Sequence, residues 1–205
     1  TEPKYQVYGY RWVILIVYFL INLIIQVQWL TFAPIAREAR TVYAATPFQI
    51  DLLSMIFMLV FLVVCLPASY LLDRYGIRIG VGFGAILTGV FGLMKGLFAD
   101  SYAMVVVAQV GLAVAQPFIL NSVTKVAVHW FPITERATAV GVATLAQFVG
   151  MIAVNIATPM MITRVGETYD LHRMLMIYGV ISVVSAVLLV AFLREHPPTH
   201  PGPEG

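Results

Sequence analysis

The sequence predicts an all-α membrane protein with six transmembrane helices, on three observations. Charged residues make up 11% of the chain, against roughly 25% in soluble globular domains. Hydrophobic residues make up 60%, and mean hydropathy is +0.90. Finally, six apolar runs are long enough to cross about 30 Å of hydrocarbon, which takes roughly 20 residues as a helix. A soluble bundle would need a polar stripe at helical period on every segment, and these runs lack it. The net charge of +2 is too small to argue for a nucleic-acid partner. The single cysteine, Cys65, excludes a disulfide within one chain and reads as a small hydrophobe in a helix.

In chain order, residues 1–10 form a polar N-terminal segment. Thr1 in place of Met points to a trimmed or processed start, and the first apolar run is too long for a signal-peptide core. Spans follow at about 11–36, 48–72, 79–98, 102–128, 135–161 and 171–193. Turn and charge signals separate them: "REARTVYAATP", "DRYGIR", "FADS", "HWFPITER" and "TRVGETYD". The tail 194–205, "REHPPTHPGPEG", has four prolines and two glycines, cannot continue a helix, and reads as a linker. Lys4, Arg11, Arg74, Arg78, Lys125, Arg136 and Arg194 fall on one side of the membrane. Arg37, Arg40, Arg164 and Arg173 fall on the other. The positive-inside rule therefore places both termini in the cytoplasm, of a plasma or inner membrane.

Polar groups at membrane depth are costly and turn toward the protein interior or a wet cavity. Asn22, Gln26, Trp29 and Ala33 recur at four, three and four residues, one face of the first span. Gln109 and Gln116 share a face of the fourth span, where Asn121 and Lys125 form another pair. Thr144, Gln147, Met151 and Asn155 form a stripe on the fifth. These amides either glue helices together, at about 0.6 kcal/mol each, or line an uncharged cavity. Trp29 lies deep in its span, where an indole face could hold a quaternary ammonium by cation–π attraction of about 2 kcal/mol; the alternative is a packing tryptophan. Asp51 and Lys95 each lie about one turn inside an outer helix end, on consecutive antiparallel spans, and read as an outer ion pair. No acid sits near a span centre, so proton coupling is not supported. Glycines at 80, 84, 89, 92 and 96 on the third span allow close helix approach.

The "DRYGIR" knot puts Asp73, Arg74 and Arg78 in a chain that otherwise avoids charge, and Gly76 permits a tight turn. The arginines serve the positive-inside bias, whereas Asp73 is well placed to meet the positive N-terminal end of another helix. A charged hairpin that merely holds topology would look the same. "SYLLDRYGIR" resembles the signature loop of the major facilitator superfamily, Gly-x-x-x-Asp-Arg-x-Gly-x-Arg, with Ser69 where glycine is usual. "WFPITERATAVG", which includes Glu135 and Arg136, resembles the matching second cytoplasmic loop. The resemblance implies one six-helix half of a twelve-helix transporter, with the first, second, fourth and fifth helices around a central cavity. It also implies that the loop acid latches and releases the cytoplasmic side, so Asp73, Arg74, Gly76, Arg78, Glu135 and Arg136 are the expected gate. A drug-antiporter pattern, Gly-x8-Gly-x3-Gly-Pro, is only partly met: Gly141 and Gly150 fit, Val154 and Asn155 do not.

"QVQWLTFAPIA", "PASYLLDRYGIR", "VAQPFILNSV" and "VHWFPITERATA" resemble the feline leukaemia virus subgroup C receptor branch, linked to choline, ethanolamine and haem. That resemblance implies that Trp29 and Gln116 contact an organic cation. Gln26, Asn22, Gln147, Asn155 and Asn121 complete the expected substrate-binding set.

The expected function is the N-terminal half of a secondary transporter working by alternating access, with a second six-helix half, membrane lipid and a small organic solute as partners. Two alternatives stand beside it: a half-size transporter acting as a homodimer, and a membrane receptor or scaffold that transports nothing. No cofactor is expected. His129, His172, His196 and His200 have no metal-ligand spacing, and no enzyme motif appears.

Overall fold

The computed structural model describes residues 5–202. Lys4 of the charge count and the last residues of the tail, 203–205, lie outside them. The chain forms α1 (Arg11–Leu30), a 3-10 turn (Ala33–Ile35), α2 (Ala36–Tyr43), α3 (Pro47–Leu97), α4 (Tyr102–Leu120), α5 (Val123–Trp130) and α6 (Ile133–Met161). A hairpin of β1 (Thr163–Val165) and β2 (Thr168–Asp170) then leads to α7 (His172–Phe192).

The stretch expected as a break after the first span is helical instead. "AREARTVY" is rich in helix formers, buries Ala39, and ends at Ala44 in the left-handed region, φ 46°. α3 begins in a reciprocal cap: Gln49 N donates to Thr46 Oγ1 at 3.3 Å and Thr46 N donates to Gln49 Oε1 at 2.8 Å. It counts 51 residues, about 76 Å if straight and more than twice the hydrocarbon thickness. Gly76 breaks it at φ 83°, ψ 174°, a conformation essentially reserved for glycine. A Cβ placed on Gly80 would lie 3.6 Å from Leu72 Cα, although eight helical residues rise about 12 Å. The chain therefore doubles back at Gly76, giving α3 two legs, 47–75 and 77–97.

Among the described residues, five helical segments are long and apolar enough to cross a membrane. One of the five is the whole of α3, whose two legs on either side of Gly76 correspond to the second and third expected spans. α1 and α4 are the most buried segments, while the first leg of α3 and α6 expose Leu62, Leu66, Ile152 and Met160. α3 packs on α4 and α7, and α1 packs on α6, α7 and α4. The glycines of the second leg allow this: a Cβ on Gly96 would sit 2.9 Å from Leu175 O of α7.

Candidate functional site

Asn22 and Gln26, one turn apart on α1, are wholly buried at 0% and 1% exposure. Asn22 Nδ2 donates to Tyr18 O at 2.9 Å. Asn22 Oδ1 and Gln26 Oε1 have no hydrogen-bond donor among the described residues, and an unpaired buried acceptor costs about 1–3 kcal/mol. Gln26 lies against α6, where a Cβ on Gly150 would stand 3.1 Å from its Cβ. Trp29, on the same face, is half-buried. Its Nε1 donates to Ser54 O of α3 at 3.0 Å, and its ring lies 6.3 Å from that of Phe57. The indole N–H is thus engaged, and the ring is fixed between α1 and the first leg of α3.

The other expected site residues separate. Gln116 of α4 is 5% exposed, Gln147 of α6 is half-buried, and Asn155 is exposed with its Nδ2 bonded to Met151 O of its own helix at 2.7 Å. Asn121 Nδ2 bonds Ser69 Oγ at 2.9 Å and Cys65 O at 3.1 Å, strapping the end of α4 to α3. Asn121 is occupied as a strap, and the serine standing in for the usual loop glycine accepts one of its bonds.

The expected pair between Asp51 and Lys95 does not form. Lys95 is fully buried, and its Nζ donates to Gln28 O at 3.1 Å, Gln109 Oε1 at 3.1 Å and Thr31 Oγ1 at 3.3 Å. Three neutral oxygens satisfy the three ammonium hydrogens, and the end of α1 adds the partial negative charge of a helix C-terminus. Phe32 lies 5.6 Å away, ring to Nζ. Asp51 is exposed and lines a cleft of about 310 Å³ with Phe32, Ser54 and Met55. Depth within a helix was legible in the sequence; the neighbours at that depth were not.

The polar cluster around Lys95 extends to residues that periodicity did not select. Gln28 Nε2 donates to Ser182 Oγ at 2.8 Å and Tyr178 O at 3.2 Å on α7. Gln109 Nε2 donates to Leu53 O at 2.9 Å. Gln28 falls off the Asn22–Gln26 face, and the only sequence signal for it was a second amide two residues after Gln26 in an otherwise apolar run.

At the Gly76 end, Asp73 pairs with Lys125 of α5 rather than with a helix end. The acid at a helix N-terminus is Glu195: its carboxylate accepts from Arg78 N at 2.7 Å and Ile77 N at 2.9 Å, the first amides after Gly76. His129 Nδ1 lies 3.0 Å from Glu195 O, and Trp130 Nε1 donates to Arg194 O at 3.0 Å. Glu135 accepts from Arg11 Nε at 2.9 Å and Nη2 at 3.3 Å, joining α6 to α1. Arg136 Nε donates to Phe131 O at 3.2 Å, and Arg74 Nη1 lies 3.4 Å from Tyr70 OH. The expected linker folds back on the N-terminal segment, with Thr199 Oγ1 3.0 Å from Tyr8 OH. Among the described residues, no group of three or more metal-ligating side chains could hold an ion.

Residues 14–205 match the family model of the Major Facilitator Superfamily. The chain belongs to that superfamily. It is an integral, multi-pass membrane protein, helical apart from the short β1–β2 hairpin, and its family is one of transporters rather than enzymes. Solute carrier family 49 member A3 of Danio rerio is 29% identical over 208 residues, covering 98% of this chain and 43% of its own. Choline/ethanolamine transporter FLVCR2 of Homo sapiens is 26% identical over 193 residues, covering 91% and 37%. The expected branch is thus among its relatives. The fold is that of a bacterial homologue of the human lysosomal transporter Spinster, solved inward-facing and unoccupied. That match has TM-score 0.81 at 18% identity, over 98% of this chain and 46% of that one. The chain spans about two-fifths of the length of these curated relatives.

Proposed function

We propose that this superfamily chain is one half of a secondary transporter, six membrane crossings with α3 supplying two, that moves a small organic cation by alternating access. The observation that carries the cation is Trp29. Its N–H is engaged by Ser54 O, its ring is braced near Phe57, and it is only partly buried between two helices. A quaternary ammonium over an indole face gains about 2 kcal/mol when desolvated. The unpaired Asn22 Oδ1 and Gln26 Oε1 on the same face of α1 are sealed from solvent in this structure, and become acceptors for a substrate hydroxyl or N–H only once the helices part. Relatives named choline/ethanolamine transporters narrow the class to choline-like cations. Gln116, Gln147 and Asn155 belong to the same wall in this reading, and the second half supplies the opposite one.

The half assignment is supported by the match to two-fifths of each relative and by the apolar faces exposed on α3 and α6. The lysine and arginine bias places both termini in the cytoplasm, so the Gly76 end faces inward. Asp73, Arg74, Gly76, Arg78, Glu135 and Arg136 form the inner gate, joined by Lys125, Arg11 and Glu195. Uptake of labelled choline by the full-length protein tests the proposal. Trp29→Ala should raise KM about 30-fold, the equivalent of about 2 kcal/mol, with Trp29→Phe between it and wild type. Uptake indifferent to both substitutions sinks the cation site.

A further inference from the structure

α1 ends one residue past Trp29 and has no basic side chain in its last turn. The cation that serves this end comes from α3: Lys95 Nζ bonds Gln28 O, the carbonyl just before Trp29, and Thr31 Oγ1, two residues after it. The third ammonium hydrogen goes to Gln109 Oε1 of α4, and Gln109 Nε2 donates in turn to Leu53 O. Leu53 precedes Ser54, whose carbonyl receives the Trp29 indole. One buried ammonium is thereby linked to Trp29 from both sides. It reaches the backbone that carries the ring through Gln28, and the carbonyl that anchors the ring through Gln109 and Leu53.

Placing a lysine at membrane depth is costly, and Lys95 is completely buried with no carboxylate bonded to it among the described residues. Methionine would fill nearly the same volume without that penalty. Close packing alone therefore gives no reason for a charge here. We propose that Lys95, acting with Gln109, is a positioning residue for Trp29: it sets the spacing between the end of α1 and the first leg of α3, and so the pose of the indole. This rests on the reading of Trp29 as a cation site for its consequence in transport, but not for the linkage itself.

The full-length protein, labelled with 5-fluorotryptophan and placed in lipid nanodiscs, separates the two. The 19F resonance of Trp29 is assigned by its loss in Trp29→Phe. Lys95→Met should shift or split that resonance while those of Trp12 and Trp130 stay in place. Gln109→Glu is the second variant: it keeps an acceptor for Lys95, now a carboxylate that pairs with the ammonium, and replaces the amide donor to Leu53 O with an oxygen that repels that carbonyl when ionised. It should move the same resonance even if Lys95→Met fails to fold. In choline uptake, Gln109→Glu should raise KM about 3–10-fold with kcat nearly constant, the mark of lost binding rather than lost cycling. A Trp29 resonance unmoved in a folded Gln109→Glu protein overturns the positioning role. A moved resonance with unchanged choline KM supports that role and counts against the cation site.

Discussion

The two ends of this helical bundle hold their charges in opposite ways. Near the end of α1, Lys95 is sealed from solvent and bonded to neutral oxygens from two other helices and the turn after α1. At the Gly76 end, charges meet charges, exposed at Asp73 and part-buried at Arg11 and Glu135. Asp73, with its side chain 68% exposed, pairs with Lys125, and Glu135 pairs with Arg11. Removing a partner from the buried set strands a polar group with nothing to replace it. Removing one from the exposed set lets water take over, which is why such pairs contribute only about 0–1 kcal/mol. A fixed binding wall suits the first arrangement. A gate that must let go on every cycle suits the second.

Four substitutions can break or sharpen that contrast, in falling order of effect on stability. Lys95→Met leaves Gln28 O and Gln109 Oε1 without their donor, at about 1–3 kcal/mol each, and should give the largest drop in thermal unfolding temperature. Gly76→Ala forces a side chain to adopt φ 83° and drives its Cβ into the Glu195 carboxylate; about 1–3 kcal/mol should be lost, with transport impaired. Glu195→Gln removes the charge from a helix N-terminus, worth about 0.3–1 kcal/mol. Hydrogen exchange at the Ile77 and Arg78 amides should quicken. Asp73→Asn should change stability least, within about 1 kcal/mol, yet slow or abolish cycling if this loop is the gate. Equal stability losses for Lys95→Met and Asp73→Asn would erase the contrast.

The apolar spans were legible because runs of twenty or more uncharged residues admit few other readings. α2 was missed because "REART" looks like a charged break, although its composition favours helix. The turn between the second and third expected spans was legible in Gly76, and the structure breaks α3 there at φ 83°. The candidate site was legible in part. Asn22, Gln26 and Trp29 of the expected face lie on α1, whereas Ala33 falls in the 3-10 turn beyond it. Lys95 was misassigned because two of its partners are a backbone carbonyl on α1 and a threonine hydroxyl in the turn after it, which leave no charge signal to pair with. Glu195 was missed for a related reason: it caps amides 117 and 118 residues away in the chain. The tail that carries it reads from its prolines as an independent linker.

The most direct test is a double-mutant cycle on choline affinity in the full-length protein, using Trp29→Ala, Gln109→Glu and the pair. If Gln109 and Lys95 act through Trp29, each single substitution weakens binding, and the double variant is no weaker than Trp29→Ala alone. Additive losses would contradict the account, because the Lys95 cluster would then reach the cation by a route that does not pass through the indole.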